Sequence, residues 1–488
     1  MKWFLVILTF VLVLFSSCVE ENITTDPRFC LTFSCDTLVF DTLFSGQPSA
    51  TKTFMMYNEN KKALRVDEIC LGGGDDSPFR FNVDGRIASS GESLKDIVIK
   101  GRDSLYVLIE ATISDFESDS LLSLAFDSLT FSVNGNTQDV KLIAVGRDIH
   151  FIKNLSISEN TTLRADKPYL VFGYLHVPEN LALTLAEGVQ IYMHQGSNII
   201  VDGSISIEGS FEQPVSIRGD RMDAINDVDQ TPYSQLPNQW GGIFLQNPAQ
   251  RYTIRNAVIR GMSSGVMLIG SNRVSPSLTI ANSVIHNSGM YGVYAQMADL
   301  TIENSEISNC GTSCLSVIGG NTYMAHSTIA NYYRFASRST ASLRVLNSVY
   351  KNGFAQVYPV SSFVVENSIV FGQNYTEIEM ICDTTAVFNL FVSNSLIKSK
   401  QLELPYFQNC LWARSCNYKN AVDTVFKCVS VANIDRTGYY DFSLDSLSFA
   451  RNSASQTIAV RYPYDLVNYS RFFDGKPDLG AYEFHSKQ

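Results

Sequence analysis

Basic clusters are missing from this chain. Its 488 residues carry 37 Lys and Arg against 48 Asp and Glu, a formal charge of −11, and no stretch gathers the cations together. A nucleic-acid partner needs a positively charged face, so that class is excluded. Histidine is scarce: six are scattered along the chain, without a metal constellation. The cysteine spacings Cys30/Cys35, Cys310/Cys314 and Cys410/Cys416 fit no zinc pattern. No Ser-His-Asp or Cys-His arrangement stands out along the sequence. Long apolar runs are absent too, apart from one at the N-terminus.

That run extends from Trp3 to Phe15 behind the cationic Lys2. It has the length of an export-signal core and is too short to span a bilayer, which needs about 20 residues. It ends in Leu14-Phe15-Ser16-Ser17-Cys18, which resembles a bacterial lipobox, with Phe15 departing from the usual leucine. The resemblance implies cleavage after Ser17 and lipid attachment at Cys18. The following Val19-Glu20-Glu21-Asn22 resembles the acidic signal that sends Bacteroidetes lipoproteins to the cell surface. The expectation is therefore a signal peptide (1–17), a tether (18–29) and anchorage in the outer membrane through the lipid. Of ten cysteines, nine remain beside Cys18. Export permits disulfides, and Cys30 with Cys35 could close a small loop; most of the others read as small buried hydrophobes.

About 470 mature residues exceed one compact core. From 30 to 149 the pattern is short strands rich in β-branched and aromatic residues, such as Thr53-Phe54-Met55-Met56-Tyr57 and Phe79-Arg80-Phe81-Asn82-Val83. Gly72-Gly73-Gly74, Asp84-Gly85 and Asn134-Gly135-Asn136 punctuate them as turns. Without helical periodicity, this predicts a two-sheet β-sandwich. Its closing stretch, Leu129 to Gly146, resembles the last hairpin of immunoglobulin-like envelope domains.

The body carries an internal repeat. Leu300-Thr301-Ile302-Glu303-Asn304-Ser305-Glu306-Ile307 recurs with its asparagine at Asn256, Asn282, Asn304, His326 (in place of Asn), Asn347, Asn367 and Asn394. The steps are 26, 22, 22, 21, 20 and 27 residues. A unit near 22 residues fits one coil of a parallel β-helix, stacked at about 4.8 Å. The all-β fold expected is thus a sandwich followed by a single-stranded right-handed parallel β-helix over 150–430, of roughly twelve coils. Strand alternation places the asparagines inward, as a structural ladder satisfied from coil to coil. Gln239-Trp240-Gly241-Gly242-Ile243 resembles the segment where such helices become regular. Gly475-Lys476-Pro477-Asp478-Leu479-Gly480-Ala481-Tyr482-Glu483 resembles the terminus of β-helix proteins related to the polymorphic outer-membrane group, which implies a C-terminal cap over 431–488. The sandwich is expected to cover the opposite end of the rod.

Parallel β-helices also host polysaccharide lyases and glycoside hydrolases, and such an enzyme is the alternative reading. Fold analogy is a weak warrant. The hydrolases' Gly-His-Gly and Arg-x-Lys motifs are missing, and no catalytic residue is assigned. Asp220, Asp223, Asp227 and Asp229 form the one acidic loop able to supply oxygens to calcium; no other cofactor is implied. Tyr291, Tyr294, Tyr323, Tyr332, Tyr333 and Tyr350 follow the ladder and could stack on sugars. The expected partners are the membrane, through the lipid, and polysaccharide or other envelope proteins. Seven Asp-Ser/Thr-apolar triplets, from Asp36-Thr37-Leu38 to Asp445-Ser446-Leu447, resemble the O-glycosylation acceptor of Bacteroidetes. If they are used, the intact mass of the mature protein will exceed lipid plus bare chain; a mass equal to that sum removes the glycan.

Overall fold

The computed structural model describes residues 22–114, 122–225, 231–271, 274–351, 353–413, 425–429 and 440–485. The leader, Cys18, Asp227 and Asp229 lie outside them. The chain divides into two compact units, Met1–Ile149 and His150–Gln488.

In the first unit, Phe54, Met56, Val66, Phe81, Val107, Ile109, Phe131 and Leu142 are all buried and alternate with more exposed neighbours. That period of two puts one face of each strand against a common core. One sheet runs in the order Thr32–Phe33, Lys52–Asn58, Asp103–Ala111, Phe79–Val83, Arg86–Ala88. The other runs Thr37–Val39, Asn136–Arg147, Leu122–Val133, Leu64–Leu71, Ser93–Ile99, with Leu43–Phe44 also on Asn136–Arg147. The two sheets make a β-sandwich. Cys30 and Cys35 are free thiols, like the other described cysteines, so no loop is closed between them.

The second unit is one continuous parallel sheet of 26 strands wound into coils. Each coil has three faces; in one of them, Tyr291–Glu303 supplies the first and second and Glu306–Cys310 the third. Side chains stack in register along the axis. On the second face the column runs Leu163, Leu185, Ile207, Ile254, Ile280, Ile302, Met324, Val365, Val392, Phe407. Those ten stacked strands span about 43 Å at about 4.8 Å each. This is fewer than the twelve coils that the chain length suggested. Excursions such as the exposed hairpin of Ser348–Lys351 and Phe354–Val357 lengthen individual coils.

The corner between the second and third faces is where the repeat's asparagine sits. Asn256, Asn282, Asn304, His326, Asn367 and Asn394 all have φ between 44° and 49°, and Asn409 joins them at 51°. This left-handed conformation is one that Asn and His tolerate better than most residues. It also breaks the strand alternation, so the inward polar side chain is the following serine. Ser305 Oγ accepts from Ser283 N–H (3.1 Å), Ser327 Oγ from Ser305 N–H (3.2 Å), Ser368 Oγ from Ser327 N–H (3.2 Å) and Ser395 Oγ from Ser368 N–H (3.1 Å). Each hydroxyl donates to the carbonyl two residues earlier, as Ser327 does to Ala325 (2.9 Å). The inward asparagine stack is thereby corrected to a serine ladder. Only two side-chain pairs link the asparagine column, Asn304 to Asn282 (2.8 Å) and Asn367 to His326 (2.9 Å).

Asn347 does not belong to that column. It ends a first-face strand and clamps a neighbouring loop, donating to Asp383 O and accepting from Asp383 N–H. The step from His326 to Asn367 is one coil lengthened by the hairpin insertion, with Val360–Glu366 pairing to Ser313–Ala325.

The last segment is a strap along the rod's flank, not a cover for its end. The outer side of the third face is apolar at Ala330, Ile369, Phe371 and Leu396, and these pack with Phe426, Phe442, Leu444, Ala450 and Leu479. The terminal motif lies on the same face. Gly480 donates to Asn367 O at φ 89°, and a Cβ there would meet Thr328 Oγ1 and Ile369 Cδ1 at 2.6 and 2.8 Å. Ala481 N–H donates to Thr328 Oγ1 (2.9 Å). Replacing Ser327, fully buried in the ladder, by Ala strands the Ser305 N–H. A loss of about 1–3 kcal/mol in denaturant unfolding is expected, and an unchanged midpoint would remove the serines from this role.

Candidate functional site

A groove of about 350 Å³ opens between the asparagine corner and the strap. Its floor is Asn256, Asn282 and Asn304, on successive coils, flanked by Arg255 and Glu303 at the end of the second face. Its far wall is Arg461 to Leu466, and Phe211 closes one side. Asn282 is exposed, and the rings of Phe211 and Tyr464 are about half exposed. Tyr462 bridges the walls, its hydroxyl donating to Glu303 Oε1 at 2.8 Å. Burial, with Tyr323 and Glu303 beside it, pushes the Tyr462 phenol up, so it stays protonated as a donor. Arg461 pairs with Glu366 (2.9 Å) and lies 5.8 Å from the ring centres of both Tyr323 and Tyr462. The result is a row of amides between aromatic rings, with the two carboxylates of Glu303 and Asp465 and two guanidinium groups.

The groove wall is held by a buried knot. Arg471, with no exposed side-chain surface, donates to Glu483 Oε1 (2.7 Å) and to the corner oxygen Asn304 Oδ1 (2.6 Å). Asp465, Asp478 and Glu483 crowd this one cation. Burial raises all three; Glu483 rises to about 8 despite the pull of Arg471, with Asp478 adding to the rise. On the third face, the strap's Tyr482 hydroxyl donates to Glu306 Oε2 (2.5 Å), Ser308 donates to Glu306 Oε1 (2.5 Å), and His286 Nδ1 lies 2.6 Å from Ser308 Oγ. Burial raises Glu306 and lowers His286. With the imidazole held neutral, their 3.7 Å approach is a polar contact and not an ion pair.

The acidic loop does not converge among the described residues. Asp220 is bound to His194 Nδ1 (2.6 Å), Asp223 to Arg221, and no group of three His, Cys, Asp or Glu is placed to hold a metal. The six tyrosines part company as well. Tyr333 is buried, Tyr332 lies under the strap, Tyr323 faces Glu366, Tyr350 stands on the exposed hairpin, and only Tyr291 and Tyr294 pack together (5.1 Å). Conversely, a Ser-His-Asp line that the linear sequence did not reveal is present. Ser156 Oγ is 3.0 Å from His176 Nδ1, and His176 Nε2 is 2.8 Å from Asp202 Oδ2. The separations of 20 and 26 residues are each one coil, which was the available signal.

A family model described as "Right handed beta helix region" matches residues 241–397. No curated protein matches the chain. Among solved structures, the E. coli chaperone DraB is similar at 14% identity and TM-score 0.16, over 25% of this chain and 55% of that one. A PapD-like domain of human CEP192 is similar at 10% identity and TM-score 0.17, over 27% and 94%. The periplasmic chaperone SfaE gives 10% and 0.17 over 24% and 58%; the chain thus spans little more than half of either chaperone. No helix among the described residues is long and apolar enough to cross a membrane.

The raised Glu483 gives the knot a pH dependence. Protonated in the folded chain and ionised in the unfolded one, it contributes stability that is complete below its ordinary range near 4.5 and lost as pH rises through about 8. The strap's unfolding midpoint should fall between pH 5 and 8, with a flatter profile in Glu483→Gln. Parallel profiles for the two proteins would contradict this.

Proposed function

We propose that this protein is a lipid-anchored envelope rod that binds polysaccharide in the groove beneath its C-terminal strap. The groove's composition carries the reading: a row of amides with two carboxylates supplies directional hydrogen bonds to sugar hydroxyls, and half-exposed rings supply stacking faces. The match to right-handed β-helix regions fits a structural or carbohydrate-related protein and leaves the ligand to the groove. The lipobox at Cys18 and the acidic residues after it support display at the outer membrane of a Gram-negative cell. The front sandwich then serves as an immunoglobulin-like spacer.

Catalysis in the groove is not favoured. Glu303 and Glu366 both belong to the second face two coils apart, yet each is already an acceptor for a tyrosine hydroxyl and Glu366 also for Arg461. Neither is left free as a proton donor. Glycan-array binding by the full chain, without turnover, is the expected result. Tyr462→Phe and Asn282→Ala should each weaken it about tenfold, the loss of one to two hydrogen bonds. Release of unsaturated or reducing ends from a polysaccharide panel, with or without calcium, would replace this reading with an enzyme; binding unaffected by both substitutions would move it out of the groove.

A further inference from the structure

Three histidine–aspartate pairs sit on the early coils: His150–Asp166 (2.8 Å), His176–Asp202 (2.8 Å) and His194–Asp220 (2.6 Å). Only His176 carries a serine hydroxyl on its other nitrogen, with Ser156 Oγ 3.0 Å from Nδ1. The partners fix the tautomer: Nε2–H donates to Asp202, leaving the Nδ1 lone pair to accept from Ser156. Nucleophile, base and orienting carboxylate are thus within hydrogen-bond reach of one another, the arrangement that activates a serine.

The register makes the line rigid. Ser156 pairs with His176 on adjacent strands of the first face. Asp202 ends the strand of the next coil, its N–H donating to Val177 O (2.9 Å) and its carbonyl accepting from Asn247 Nδ2 (2.8 Å). Ser156 itself is exposed at the end of its strand. In this parallel pairing the Ile157 N–H donates to His176 O (3.0 Å). The Ser156 N–H therefore projects from the opposite edge of the strand. A backbone donor next to the hydroxyl is what an oxyanion requires.

We propose that Ser156, His176 and Asp202 form a hydrolytic site for short acyl esters of alcohols, such as O-acetyl groups on a carbohydrate. Ser156 Oγ bonds to the acyl carbon while its proton passes to His176 Nδ1. The ester C–O bond breaks, and the departing alkoxide takes that proton. Water, deprotonated by the same imidazole, attacks the acyl-serine, releases the carboxylic acid and restores Ser156. Asp202 is a positioning residue that holds the imidazole by Nε2–H. The acyl group is short because the site lies on an open sheet face, with Tyr174 half-exposed beside His176 on the same strand. This site is separate from the strap groove and stands or falls without it.

The test is hydrolysis of p-nitrophenyl acetate by the full chain, together with labelling by a fluorophosphonate and mapping of the labelled peptide. The label should fall on Ser156, and Ser156→Ala and His176→Ala should each lose at least about 100-fold in rate. His150→Gln, which breaks a His–Asp pair lacking a serine, should keep the rate. Asp202→Asn should lower kcat with KM nearly unchanged, and Asp202→Glu should recover part of the rate, because the carboxylate orients the imidazole. A purely structural Asp202 would leave kcat in place. Thermal unfolding of Ser156→Ala should match the parent, since the side chain is exposed. Labelling elsewhere, or a rate that survives Ser156→Ala, overturns the proposal.

Discussion

Everything in the second unit depends on how each coil turns the corner between its second and third faces. From Asn256 onward the chain bends there at a residue of positive φ, a conformation that costs an ordinary L-residue roughly 1–2 kcal/mol. Asn and His meet that demand repeatedly, from Asn256 to Asn409. The bend leaves the next N–H without a carbonyl partner, and the serine hydroxyl of the neighbouring coil supplies one. The same bend turns the amide outward. It thereby furnishes both the floor of the groove and the anchor points at which Arg471 and the Ser455 backbone bind Asn304 and Asn367. Structural regularity and surface chemistry have one origin.

The coil period was legible in the sequence because an αL corner every 22 residues or so leaves a visible column. Asn347 entered the column falsely for a physical reason. Leu343-Arg344-Val345-Leu346-Asn347-Ser348 has the same apolar alternation before an Asn-Ser pair, yet that strand lies on the first face. Alternation reports a buried strand and says nothing of which face it occupies. The serine beside each asparagine was equally visible, but its role depends on φ, which sequence does not display.

The groove was not legible, since its two walls come from residues as far apart as Glu303 and Tyr462. Its only trace was the terminal motif, whose Gly480 is required by the close approach to Thr328 and Ile369. The Ser156–His176–Asp202 line was hidden differently. Its members match no linear motif and come together only once the coil length is known. In a stacked fold, residues one period apart are neighbours, so a period is also a contact map.

The strap gives the chain an order of completion. Coils stack by nearest-neighbour contacts and can form progressively from the front. The strap's contacts bridge long stretches of sequence: Arg471 meets Asn304, and Tyr482 meets Glu306. Such long loops close late. Until the strap docks, the apolar strip of Ala330, Ile369, Phe371 and Leu396 remains bare. A chain halted before Phe426 would own all 26 strands of the parallel sheet and still present that strip to chaperones and proteases. The strap thus acts as a stamp of completeness.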